Sequence, residues 1–219
     1  MMTITTLAGL GGCGLLLLAL LVALLRPQRF SVPVRAAIVV MFVLLTLFQI
    51  EELPLLGYVR ALTGDFSITS VFLLGAFCFT RLSGRPELLR ADRVSILLGT
   101  VLITAVFLYP MALGYTRVDP YALGYGSNVF FAVLLGLTLV AWHFDQYVFV
   151  FAVTLAVCAH LLRLYESTNL WDYLLDPMLA VFAIFWLAWR GLRRLFCKKA
   201  AAVPEAQAAT DAVLAATER

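Results

Sequence analysis

The chain has 219 residues, 63% of them hydrophobic and only 13% charged, with a mean hydropathy of +0.98 and a net charge of +3. A soluble globular domain carries about 45–50% apolar and about 25% charged residues, so an ordinary soluble domain is excluded and an integral membrane protein is expected. The apolar residues come in solid runs of helix length rather than in alternating segments of about ten residues, which predicts an all-α polytopic membrane bundle.

Taken in order, the first run is Leu7 to Leu25. Nothing basic precedes it and no small-x-small cleavage site follows it before Arg26, so it is expected to be a retained helix. Gly9, Gly11, Gly12 and Gly14 would let a neighbouring helix approach closely. The second helix is predicted over Ala36 to Ile50, ending at Glu51-Glu52. Leu53 to Asp65 contains Pro54, Gly57 and Gly64 and is too broken to span; a short interfacial helix fits. Further helices are expected over Phe66–Thr80, Val94–Leu113 with a kink at Tyr109-Pro110, Asn128–Trp142, Tyr147–Leu164 and Pro177–Leu192. The expected organisation is a bundle over 1–199, with about seven transmembrane helices, and an Ala-rich tail over 200–219.

The loops sort by charge. Those after helices one, three and five, with the C-terminus, carry thirteen basic and six acidic residues; the other side carries three basic and seven acidic. Basic loops stay cytoplasmic, so the N-terminus is expected outside and the C-terminus in the cytoplasm. Fourteen arginines against two lysines hint at a GC-rich bacterial genome, and the expected location is a bacterial inner membrane.

Polar chemistry gathers between helices six and seven, at Arg163, Glu166, Asn169, Asp172 and Asp176, interleaved with Tyr165, Trp171 and Tyr173. Some acids have an ordinary explanation. Asp65 can cap helix three. Asp176-Pro177 is a common helix start, where asparagine would serve as well. Asp119-Pro120 suits a turn. Glu51, Glu52 and Glu166 fall instead at predicted helix C-termini, where the dipole disfavours an anion; pairing with Arg60, Arg117 and Arg163 on the same face would offset this. His160, Arg163 and Ser167 are spaced to share one face of helix six, and an ionisable residue inside a span is a candidate site. The candidate binding residues are therefore Arg163, Glu166, Asp172, His160, Arg117, Arg60, Glu51 and Glu52.

Other patterns speak against specific chemistries. Cys13, Cys78, Cys158 and Cys197 are scattered and read as small apolar residues. His143 lies at the inner end of helix five and His160 near the outer end of helix six, so they cannot share a haem. Helix seven has no lysine for a Schiff base. GxSxG, HExxH and Walker A patterns are absent from the sequence. Glu51-Glu52, Arg60 and two later histidines are partly similar to the pattern of membrane proteases that process CaaX-type proteins, but the spacing is too wide and the charge partition separates Glu51 from His143. The tryptophans suit interfacial belts. No cofactor, metal or nucleic-acid partner is expected. The expected partners are membrane lipids and a membrane protein or lipid-linked envelope precursor bound at the outer face by a non-catalytic accessory protein. The alternatives are a lipid-modifying enzyme, with Glu166 or Asp172 as base and Arg163 holding phosphate, and a small transporter.

Overall fold

The computed structural model describes residues 3–46, 48–50, 53–85, 89–115 and 117–196. Among them the chain is all-α apart from one two-residue hairpin. Helix α1 (Ile4–Leu25) starts where the Thr3 hydroxyl accepts the N–H of Thr6 and stops at Arg26, which takes the left-handed conformation ahead of Pro27; a proline cannot extend the helix. Helix α2 (Val32–Thr46) ends one turn earlier than predicted, and β1 (Gln49–Ile50) pairs antiparallel with β2 (Leu53–Pro54). The broken segment after it holds the short helix α3 (Leu55–Thr63).

Helix α4 (Ile68–Ser83) ends at Gly84, whose φ of 74° suits a residue without Cβ. Its N-cap is Ser67, whose hydroxyl accepts the Ser70 N–H. Asp65, expected in that role, instead makes a two-pronged pair with Arg60. Helices α5 (Ala91–Ala112), α6 (Asn128–His143) and α7 (Tyr147–Leu161) follow, then the short α8 (Trp171–Leu174) and α9 over residues 177–196. Pro110 sits in the last turn of α5, where it cannot donate to the carbonyl four residues earlier.

Helix α7 is the central element, packing on α4, α5 and α6. Ala152, Ala156 and Ala159 lie along its buried side, at a spacing that keeps one face small and lets neighbours approach. Leu98, Ala183 and two residues that follow α7, Leu170 and Tyr173, complete the same core. Helix α1 packs on α4 and α3, burying Cys13, Ala19 and Val22. Cys78 is buried as expected of a small apolar residue, whereas Cys158 is exposed. Helix α2 buries none of its residues.

Contacts between connections define two ends. At one end Asp176 meets Ser67, and the 120–124 turn meets residues 169–172. At the other, Arg35 meets Gln28 and Leu82, and Asp92 meets Arg190. These are the same groupings that the charge partition makes. Among the described residues two helices, Ile4–Leu25 and Ala91–Ala112, are long and apolar enough to cross a membrane, with mean hydropathies of 2.5 and 2.1. Helices α2, α4, α6 and α7 are apolar but shorter, at 15 or 16 residues, against about 20 for a full crossing.

Candidate functional site

The candidate residues collect at the first end, where four connections are tied together. Helix α7 stops at Leu161, one turn short of the predicted end, and Arg163 takes a left-handed φ of 52°. The chain then leaves the helix axis, so His160, Arg163 and Ser167 do not share a helical face. Glu166 lies in the connection beyond Arg163 rather than on a helix C-terminus, and the dipole argument for pairing it does not hold.

The segment after α7 is held by polar bonds within itself and to the 120–124 turn. Asn169 is fully buried. Its Oδ1 accepts the Trp171 N–H at 2.9 Å, its Nδ2 donates to the Tyr121 carbonyl at 3.0 Å, and its N–H donates to Ser167 Oγ at 3.0 Å. Asp172 accepts from the Tyr121 hydroxyl on Oδ1 (2.8 Å) and from the Ser167 hydroxyl on Oδ2 (2.5 Å). Trp171 Nε1 donates to the Pro120 carbonyl, and the Leu170 N–H to the Gly124 carbonyl. Tyr173, also fully buried, accepts the Tyr165 N–H and has the Tyr165 and Ser167 carbonyls within reach of its own O–H.

Two other ties complete the clasp. Asp176 is buried and accepts four hydrogen bonds. Oδ2 takes Ser67 N–H (3.0 Å), Ser67 Oγ (2.6 Å) and Ser70 Oγ (2.5 Å), while Oδ1 caps α9 at the Leu179 N–H (2.8 Å). It therefore joins the starts of α4 and α9 and does more than cap. Arg60 pairs with Asp65 at 2.6 and 2.7 Å, lying over Gly9 of α1. A Cβ at Gly9 would stand 2.3 Å from Asp65 Oδ1. This is a use of Gly9 different from the helix packing expected of it; Gly12, by contrast, does lie against Val71 and Phe66.

The remaining candidates are placed as follows. Arg163, Glu166 and Arg117 are exposed. Glu166 is near enough to Arg60 to favour its charged form, after the larger effect of Asp65. His160 packs edge-on against Tyr173 and beside Phe131, with Nδ1 buried and without a hydrogen-bond partner among the described residues. Glu51 and Glu52 lie outside the described residues. Burial pushes the Tyr121 and Tyr165 hydroxyls above the usual tyrosine range; the Asp172 hydrogen bond adds to this at Tyr121 and the Asp65 charge at Tyr165.

The sequence reading singled out residues 163–177 but not their receptors, Tyr121, Gly124, Ser67 and Ser70. Serines at a helix start announce a cap; nothing in their spacing announces a carboxylate more than a hundred residues away. Two of the tryptophans also have particular partners. Besides Trp171, Trp186 donates to Ser95 Oγ, a tie between α5 and α9 and not a belt position alone.

The features in hand define an all-α chain with two membrane-capable helices and a polar clasp at one end. Compared with known proteins, the chain matches no protein-family profile, no curated protein and no solved structure.

Proposed function

We propose that the chain is a multi-pass protein of a bacterial inner membrane, with the clasp end outside and the C-terminus in the cytoplasm. In this reading it is a non-catalytic accessory protein that binds a partner protein or a lipid-linked envelope precursor on the clasp. An apolar exterior supports the membrane part: Leu24, Leu62, Val129 and Phe185 are each at least 69% exposed, and such surface is rare on soluble monomers. The 15- and 16-residue helices would be accommodated by local thinning and by their polar flanks.

One observation carries the functional part. Three carboxylates of the clasp are already spent: Asp65 on Arg60, Asp172 on Tyr121 and Ser167, Asp176 on Ser67, Ser70 and Leu179. A general base needs a free acceptor facing its substrate, which weighs against a lipid-modifying enzyme built on Asp172. Arg163, Glu166 and Arg117 remain exposed around a rigid scaffold, with Tyr115 and Tyr125 at 81% and 62% exposure. Exposed arginine and tyrosine on a fixed frame suit recognition.

The test is photocrosslinking in cells from positions 163, 166 and 117, with position 144 at the opposite end as control. The reading expects one protein or lipid species from the first three positions only. It also expects Arg163→Lys to weaken that product at unchanged abundance, since lysine lacks the planar fork. A product equally strong from position 144, or one indifferent to Arg163, would contradict it.

A further inference from the structure

Between α1, α4 and α9 lies a half-enclosed cavity of about 970 Å³, at the upper end of the ~300–1,000 Å³ typical of small-molecule sites. Its walls are apolar: Leu20 of α1, Leu74 and Phe77 of α4, Phe182 and Trp186 of α9. From Ser70 to Gly84 along α4 it extends about 21 Å at 1.5 Å per residue, more than half of a ~30 Å hydrocarbon core.

The two ends of the cavity differ in chemistry. At the clasp end it is bounded by Phe66 and Ser70, and the Ser70 hydroxyl is already committed to Asp176. At the other end it is bounded by Gln28, Arg35 and Arg81, and no carboxylate among the described residues lines it. The Arg81 guanidinium lies 5.4 Å from the Phe77 ring centroid and has no ion-pair partner among the described residues. Arg35 is fixed at the mouth by donating to the carbonyls of Phe30, Leu82 and Gln28 at 2.9, 2.8 and 3.2 Å. Those acceptors are neutral, and no carboxylate among the described residues pairs with it. A guanidinium has five N–H donors, so donors remain for an anion.

We infer that this cavity holds one anionic glycerophospholipid, its phosphate at Arg81 and Arg35 and its acyl chains running between α1, α4 and α9 toward Ser70. A zwitterionic lipid would fill the same walls but bring its quaternary ammonium to two arginines, so the headgroup is what the site discriminates. The inference rests on the membrane reading but not on the recognition role of the clasp, which is at the opposite end.

The experiment titrates the full chain, purified in detergent and delipidated, with phosphatidylglycerol or phosphatidylcholine of the same acyl chains in mixed micelles. Thermal unfolding is followed throughout, because a ligand of the folded state raises Tm. Phosphatidylglycerol should raise Tm at lower concentration than phosphatidylcholine. Arg81→Gln should weaken the phosphatidylglycerol response about tenfold to a hundredfold, as expected for loss of a charged hydrogen bond, and leave the phosphatidylcholine response alone. Leu20→Trp, at a side chain 58% exposed on the cavity wall, should weaken both. Arg85→Gln, at an exposed arginine that does not line the cavity, should change neither. Equal responses to the two lipids, or a phosphatidylglycerol response that survives Leu20→Trp, would overturn the inference. So would equal losses in the Arg81 and Arg85 variants, which would mean general surface attraction. Should Arg81→Gln fail to fold, the Leu20 and Arg85 variants decide the matter. Carbonate extraction of membranes separates the underlying reading: release of the chain would remove the membrane assignment, whereas a retained chain without lipid preference removes this inference alone.

Discussion

A carboxylate ringed by four donors, as at Asp176, cannot become an amide without setting a donor against a donor. If the asparagine oxygen faced Ser67 and Ser70, its NH₂ would face the Leu179 N–H; reversed, it would face the Ser67 N–H. Asp176→Asn is therefore expected to destabilise by about 1–3 kcal/mol, the cost of a buried group left unpaired, although the sequence alone makes it look silent. Thermal unfolding of the purified variant against wild type checks this. Gly124 gives a second test. A Cβ there would lie 1.7 Å from Asn169 Oδ1, and Asn169 is fully buried and held by three hydrogen bonds. Gly124→Ala should thus cost about 1–3 kcal/mol of overpacking. Gly9→Ala displaces only the ends of the partly exposed Arg60–Asp65 pair, worth about 0–1 kcal/mol. The same melts should rank Gly124→Ala as clearly the more damaging of the two.

At the scale of elements, the Tyr121 hydroxyl ties the 120–124 turn to the segment after α7, in which Tyr165 is buried, and both hydroxyls ionise above their ordinary value. Unfolded tyrosine ionises at about pH 10, and the folded Tyr121 and Tyr165 only at higher pH. Their contribution is therefore complete below about pH 10 and lost as pH rises through the folded value. Melting temperature should fall above about pH 10, and Tyr121→Phe should fall less steeply there; identical alkaline profiles would contradict the role of Tyr121. How much of this was legible depended on range. Apolar runs located α1 and α4 to α7 to within a few residues, because periodicity and composition are local signals. Leu162 and Leu164 carry the apolar pattern past the end of α7, while the chain turns at Arg163 to reach the 120–124 turn. Residues 163–177 could be recognised as a polar cluster, but Asp172 and Asp176 could not be told from free acids until Tyr121 and Ser67 were seen beside them.

At the scale of the whole molecule, we propose that the bundle lies across a membrane with its clasp outside and its arginine-rich end in the cytoplasm. Loop contacts and loop charge support that division independently, since Asp176–Ser67 and Tyr121–Asp172 join acid-rich connections while Arg35–Leu82 and Asp92–Arg190 join basic ones. The most direct measurement is labelling of intact cells with a membrane-impermeant maleimide, in a background with Cys158 and Cys197 replaced by alanine. Cysteines are introduced singly at Tyr125 and Glu166 on the clasp, and at Arg85 and Phe144 at the other end, all exposed positions. Labelling is expected at 125 and 166 in intact cells, and at 85 and 144 only after the membrane is opened. Labelling of 85 and 144 but not 125 and 166 in intact cells, or no difference between the ends, would contradict it.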